Sequence, residues 1–319
     1  MTKNNPFFNK SFISIDQISS KADVDFIFKV ADKMKYVVEK NKHFEPLKGK
    51  TVAVLFYQPS TRTFTSFVGA AKRLGAYVID IHEMDSFSSA VKGETLEDTI
   101  KSIHQTTGAN AIVLRHPEDN SGELAESASY VPVINGGSGK KEHPTQALLD
   151  LYTIYEKFKR LDNLHIMMVG DLLYGRTIKS LAKLLVKIGK NIHITFVSPK
   201  ELKAPKELVK TLREKAEVSQ KSVFGQSIND VDVIYMTRVQ KEWFEKEGKV
   251  DEYERLKLKF IMDLELVRKM NKDAIIMHPL PRVGEILQEV DDNPRAFYFR
   301  QMRSGLYIRM ALLHSILLP

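Results

Sequence analysis

Residues 51–75, TVAVLFYQPSTRTFTSFVGAAKRLG, constrain the fold of this chain more than any other stretch. Residues 51–57 are apolar and β-branched, which predicts a buried strand. Gln58-Pro59 ends it, because proline has no N–H to give a β-ladder. Ser60 and Thr61 are good helix N-caps, and a helical pattern runs from them to Leu74. Gly75 then stands where a helix C-terminus favours a residue tolerant of positive φ. The helix therefore starts with Ser60-Thr61-Arg62-Thr63. A first helical turn leaves backbone N–H groups free, and the aligned peptide dipoles make that end positive. Three hydroxyls and a guanidinium added there make a site for a tetrahedral oxyanion, and phosphate is the natural guest. Taken alone, the tetrapeptide is equally an ordinary cap beside a solvated arginine.

The chain has 319 residues, 43% hydrophobic and 28% charged, which suits a soluble globular protein of roughly two domains. It has no cysteine, so disulfides, a thiol nucleophile and thiolate zinc sites are excluded, and a reducing compartment fits. The start, MTKNNPFFNK, lacks an apolar core of signal-peptide length, and no run approaches ~18 apolar residues. A cytoplasmic protein with no membrane association is expected. The net charge of +8 raises nucleic-acid binding as a possibility. The basic residues are spread out, however, and acidic ones interleave with them, as in Glu242-Trp243-Phe244-Glu245-Lys246-Glu247. Small anionic substrates account for the charge equally well, and no nucleic-acid partner is expected.

In chain order, residues 21–39 read as an amphipathic helix. Residues 77–81 read as a strand. The polar loop 83–93 follows, carrying Ser86, Ser88, Ser89 and Lys92, and by itself it reads as solvated. A helix begins near Glu94. Residues 111–114 form a strand with Arg115-His116-Pro117 at its C-terminal end, where ligands collect in open α/β sheets. Residues 131–134 read as a short strand and 135–139 as a flexible loop. His143-Pro144-Thr145-Gln146 then heads a helix over 147–158. His143 and Gln146, three apart, can face one pocket, although a lone histidine at a helix start is more often a cap or a surface residue.

The second half repeats this logic. Residues 164–169 form a strand, 170–176 a turn, 177–188 a helix and 192–197 a strand. A dinucleotide site is excluded. Gly170 and Gly175 do not make G-x-G-x-x-G, and Val197-Ser198-Pro199 lacks the acidic residue a ribose needs. Arg176, at a turn beyond a strand, is placed to bind a carboxylate. A strand over 231–236 leads into Thr237-Arg238-Val239-Gln240, where Arg238 and Gln240 share one side if extended. Residues 241–259 are charged and helical in part. After a last strand over 274–277, His278-Pro279-Leu280-Pro281-Arg282 makes a rigid turn with exposed carbonyls. Residues 297–318 read as largely helical. The expected fold is α/β: two doubly wound, Rossmann-like domains with parallel central sheets, joined by interdomain helices.

Five segments lie at these strand ends: PSTRT, RHP, HPTQALLDLYTI, GDLLYGRT with TRVQKE, and HPLPRVGEI. Together, over about residues 58–309, they resemble the transcarbamoylase family, and within it the branch that acts on aspartate. The resemblance implies transfer of the carbamoyl group of carbamoyl phosphate to the α-amino group of L-aspartate. The products are N-carbamoyl-L-aspartate and phosphate, in the committed step of pyrimidine synthesis, with no metal or organic cofactor. It assigns Ser60, Thr61, Arg62 and Thr63 to a phosphate cradle and Arg115 to phosphate and the carbonyl oxygen. His143 goes to the carbamoyl carbonyl and Gln146 to a place near its amide. Thr63, Arg115 and His143 together polarise the carbonyl. The backbone carbonyls of Leu280 and Pro281 meet the carbamoyl nitrogen, across a Leu–Pro bond expected to be cis. Arg176 takes the α-carboxylate of aspartate, and Arg238 and Gln240 its side-chain carboxylate. Ser88 and Lys92, with Lys92 also reaching aspartate, complete the site of a neighbouring subunit, which implies a homotrimer with shared active sites. Separate regulatory chains are compatible with such a trimer. The resemblance puts carbamoyl phosphate on residues 1–144 with 297–319 and aspartate on 145–296, with substrates drawing the domains together.

Three departures accompany it. STRTFTSFV has Phe64 and Val68 where the family commonly has arginine and glutamate. These are four apart on a helix, so an apolar pair is expected in place of an ion pair. Val91-Lys92 stands where some relatives have two lysines, and residues 245–253 look longer than in some relatives. A sister enzyme acting on ornithine is disfavoured, because its His-Cys-Leu-Pro segment is here His278-Pro279-Leu280-Pro281 and Arg238-Val239-Gln240 suits a second carboxylate. A non-catalytic homologue is disfavoured by the complete polar set.

Overall fold

The computed structural model describes residues 5–84 and 92–319, so Ser86, Ser88 and Ser89 lie outside the described residues. The chain divides into two compact units, Met1–Tyr152 with Arg303–Pro319, and Thr153–Met302.

In the first unit α1 (Lys21–Glu39) precedes β1 (Thr51–Phe56), α2 (Thr61–Arg73) and β2 (Tyr77–His82). Then come α3 (Leu96–Thr107), β3 (Ala111–His116), α4 (Ser121–Ala128) and β4 (Val133–Ser138). The strands pair in the order β2-β1-β3-β4, and every pairing is parallel. Parallel strands are covered on both faces, which is why β1 and β3 read as continuous apolar runs. Ala53, Leu55, Ile112 and Leu114 are buried with Ile100, Ala125 and Val133 in one core.

α5 (Pro144–Phe158) carries the chain toward the second unit. That unit contains β5 (His165–Val169), α6 (Arg176–Ile188), β6 (His193–Val197), α7 (Lys206–Arg213), β7 (Glu217–Lys221) and β8 (Val233–Met236). It continues through α8 (Lys241–Lys246), α9 (Val250–Leu256), α10 (Leu264–Lys269) and β9 (Ile275–Met277), before α11 (Tyr298–Leu317). Its strand order is β7-β6-β5-β8-β9, again all parallel.

Each sheet is wound in two directions from its first strand. In the first unit the chain goes from β1 outward to β2, then returns to the other side of β1 for β3 and β4. In the second it goes from β5 to β6 and β7, then returns for β8 and β9. The reversals put switch points between β1 and β3 and between β5 and β8. Loops leaving the carboxyl ends of such strands diverge and leave a crevice for ligands. Residues 57–60, 170–175 and 237–240 are among those loops, and Arg115 lies at the end of β3.

One expectation is overturned. Residues 135–138 are not a flexible loop but the last four residues of β4, buried throughout. Glycine is what allows this. A β-carbon on Gly136 would meet the Leu114 carbonyl oxygen at 3.2 Å and the Phe56 ring at 3.3 Å. Asn135 anchors the segment. Its side-chain amide donates to the Ile13 carbonyl at 2.9 Å, and its oxygen accepts from Gly137 N–H at 2.6 Å. Phe64 in α2 packs edge-on against Phe56 and His82, with ring centroids 5.3 and 5.5 Å away. Among the described residues, no helix is long and apolar enough to cross a membrane.

Candidate active site

In the first unit, β1 leads through residues 57–60 into α2, with Ser60 at the N-cap position. Thr61, Arg62 and Thr63 make the helix's first turn, so their N–H groups point out of its positive end. This turn is braced from behind. The Ser66 hydroxyl lies 2.6 Å from the Arg62 carbonyl oxygen and 3.0 Å from that of Thr63. Ser66 in turn accepts from Arg309 Nη1 of α11 at 2.8 Å. Arg309 is 3% exposed and lies 5.1 Å from the centroid of the Phe67 ring. Burial pushes its guanidinium down to about 9, against the opposing pull of Asp150.

His143 directly precedes α5 and is buried, with Nε2 3.5 Å from Thr63 Oγ1. The structure thus brings Thr63 and His143 together, 80 residues apart in the chain. Gln146, in the first turn of α5, donates from Nε2 to Asp150 Oδ1 at 2.9 Å. Arg115 stands at the end of β3, half-buried, and donates to the Gly136 carbonyl at 3.2 Å. Lys92 is exposed, in a turn ahead of α3. Ser88 lies outside the described residues.

In the second unit, Arg176 opens α6 behind the turn 170–175. That turn and residues 237–240 are locked together. Gly170 has φ +116°, and a β-carbon there would meet the Thr237 carbonyl oxygen at 2.2 Å, so only glycine fits. Asp171 is fully buried. Its carboxylate accepts from Tyr174 N–H at 2.9 Å and Gln240 N–H at 3.3 Å, while its own N–H donates to Thr237 Oγ1 at 3.2 Å. Burial pushes its carboxyl up to about 6, partly offset by those hydrogen bonds.

Arg238 is half-buried and forms a two-pronged pair with Glu242, one turn on, at 3.0 and 2.6 Å. Burial raises the Glu242 carboxyl, but the Arg238 hydrogen bonds outweigh it and hold it below its usual value, helped by Arg176. Gln240 caps α8 in an extended conformation. Past β9, Leu280-Pro281 is a cis peptide with Leu280 at φ +54°. Among the described residues, no group of three or more histidine, aspartate or glutamate side chains is placed to hold a metal ion.

Ser66, Asp150, Arg309, Asp171 and Glu242 escaped the sequence reading. One of them left a signal in spacing: Asp150 is four residues after Gln146, its neighbour on a helix.

Two doubly wound units with basic and hydroxyl side chains at their switch points match known proteins over nearly the whole chain. Residues 10–156 match the family described as aspartate/ornithine carbamoyltransferase, carbamoyl-P binding domain, and 162–316 its Asp/Orn binding domain. The chain belongs to the aspartate/ornithine carbamoyltransferase family. Within it, the chain is 43% identical to the aspartate carbamoyltransferase catalytic subunit of Thermococcus onnurineus, over 92% of this chain and 93% of the relative. It is also 43% identical to the multifunctional protein ura1 of Schizosaccharomyces pombe over 99% of this chain, but spans only 14% of that longer protein. Among solved structures, aspartate transcarbamoylase from Trypanosoma cruzi in complex with N-(phosphonacetyl)-L-aspartic acid superposes with TM-score 0.90 at 36% identity. That match covers 98% of this chain and 97% of the other.

Proposed function

We propose that this chain transfers the carbamoyl group of carbamoyl phosphate to the α-amino group of L-aspartate, in de novo pyrimidine synthesis. The observation that carries the proposal is the Ser60–Thr63 turn at the positive end of α2, with Thr63 beside the buried His143.

In this reading Ser60, Thr61, Arg62 and Thr63 hold the phosphate, with Arg115 bridging it to the carbonyl oxygen. Thr63, Arg115 and His143 stabilise the oxyanion as the aspartate nitrogen bonds to the carbamoyl carbon. Gln146 turns its Nε2 toward Asp150, so its oxygen accepts from the carbamoyl amide. The backbone carbonyls of Leu280 and Pro281 accept from the same nitrogen. Arg176 holds the α-carboxylate of aspartate, and Arg238 with Gln240 the side-chain carboxylate. The tetrahedral intermediate collapses by breaking the carbon–oxygen bond to phosphate, and the departing phosphate takes the proton released by the amine. Rate enhancement comes from orientation and preorganised charge. Residues 1–144 with 297–319 serve carbamoyl phosphate and 145–296 serve aspartate.

Ser88 and Lys92 are proposed to serve a neighbouring subunit's site, which requires a homotrimer. Separate regulatory chains are compatible with that assembly and contribute nothing to the chemistry. A cytoplasmic location belongs to the same proposal, and cell fractionation tests it.

The test separates the two halves. Losing a charged hydrogen bond to substrate weakens binding roughly 10- to 100-fold. Arg62→Met raises KM for carbamoyl phosphate by that factor and leaves KM for aspartate little changed, and Arg238→Met does the reverse. Variants that fold but leave both constants unmoved would sink the assignment.

A further inference from the structure

The turn that presents Leu280 and Pro281 is held by a buried pair that the reaction itself does not use. His278 is 1% exposed and Glu285 2%. Leu280 N–H donates to His278 Nδ1 at 2.7 Å. An N–H can be accepted there only if Nδ1 carries a lone pair, so the ring proton sits on Nε2. Nε2 faces Glu285 Oε1 at 2.7 Å, and Glu285 Oε2 accepts Val283 N–H at 2.9 Å. One histidine and one carboxylate therefore tie the backbone N–H groups of residues 280 and 283 together across Pro281-Arg282. An imidazolium would break this loop, because its Nδ1–H would confront Leu280 N–H. The main chain on either side is fixed independently. His278 N–H donates to Gln301 Oε1 at 2.8 Å, and Arg282 pairs with Asp291.

Leu280 needs such an anchor. Its φ of +54° is a conformation that a β-carbon disfavours, so it persists only where its surroundings over-determine it.

We infer that Glu285 is a positioning residue: it fixes the His278 tautomer whose Nδ1 holds Leu280 N–H, and so aims the Leu280 and Pro281 carbonyls at the carbamoyl amide. The inference rests on the reading of the site given above. Glu285→Gln keeps the shape but not the acceptor pair. If the new amide nitrogen faces the ring, the ring must move its proton to Nδ1, and Leu280 N–H loses its acceptor. If it faces outward, it confronts Val283 N–H.

Two measurements on the full chain test this. Ring-15N histidine spectra of the unmodified protein, with His278 identified by its absence from His278→Gln, read the tautomer without substrate. The expected spectrum has hydrogen on Nε2 only. Hydrogen on Nδ1, or on both nitrogens, overturns the inference. Steady-state kinetics of Glu285→Gln should show KM for carbamoyl phosphate raised roughly 10- to 100-fold, KM for aspartate nearly unchanged, and a cooperative thermal transition only about 2–10 °C below the parent's. Equal loss in both constants, or no change in either, overturns the positioning role. If the unmodified chain makes no carbamoyl aspartate while its spectrum shows the Nε2–H ring, the site reading has failed and the tautomer stands.

Discussion

Arg309 offers a case in which stability and function should part. Its guanidinium is buried, and its drop to about 9, well below the usual arginine value, corresponds to about 5 kcal/mol against the charged form. For a base with a depressed folded value, that cost is present at every pH below about 9 and is relieved only above it. That cost is already net of the pull of Asp150; the further attractions opposing it are the charged hydrogen bond to Ser66, about 1.5–3 kcal/mol, and the contact with the Phe67 ring, about 2 kcal/mol. Arg309→Met removes all of these terms and fills much of the same space. The folding free energy should therefore change by no more than about 2 kcal/mol in either direction. Urea unfolding at pH 7 and fixed protein concentration measures it. Carbamoyl phosphate binding should suffer nonetheless, with KM raised several-fold, because the Ser66 hydroxyl that braces the Arg62 and Thr63 carbonyls loses its own anchor and Asp150, the partner of Gln146, loses the positive charge beside it. A loss of about 3–5 kcal/mol, the cost of breaking a tight buried ion pair, would mean that Arg309 is a net stabilising charge. A stable variant with unaltered carbamoyl phosphate kinetics would mean that Ser66 needs no anchor from Arg309.

Asp171 titrates near 6 in the folded chain against a reference of 3.8, so folding favours its protonated form. Its burial costs about 3 kcal/mol above that pH, and this is relieved as pH falls through about 6 toward 4. Protonation also weakens its grip on Gln240 N–H, so KM for aspartate should rise as pH falls through 6 while this group's contribution to stability improves. Titrating both quantities in parallel checks the opposed signs. Glu242→Gln should change stability by less than about 1 kcal/mol, since the pair is half solvated, yet raise KM for aspartate several-fold by releasing Arg238 from its fixed orientation. Steady-state kinetics with a matched unfolding curve tests it. At substrate concentrations too low for either variant alone to turn over, mixing Lys92→Ala and Arg62→Ala chains should restore activity at about a quarter of the sites in a randomly mixed trimer. No recovery after demonstrated subunit exchange would rule out shared sites.

The parallel sheets were legible because buried parallel strands are written as apolar runs, and β1, β3, β5 and β8 lie close to where the sequence puts them. Other elements carried no such signal. β7, EVSQK, is a polar edge strand that buries only Val218, and α10 is a six-residue turn of helix. Residues 135–138 looked like a loop because glycine usually signals one. Here Gly136 serves close strand packing instead. Residues proposed to touch substrate stood out by type and position at strand ends. Those that hold them in place did not, because their partners are remote in sequence: Arg309 reaches Ser66 across 243 residues. His278 and Glu285 sat in plain view in HPLPRVGEI, but only the direction of each hydrogen bond revealed what they do.

The most direct measurement is product formation by the purified chain given carbamoyl phosphate with either aspartate or ornithine. The expected result is carbamoyl aspartate and an equal amount of phosphate with aspartate, and no carbamoylated product with ornithine. Carbamoyl ornithine, or phosphate release without carbamoyl aspartate, would contradict the roles given to Arg238 and Gln240 and with them the reaction proposed.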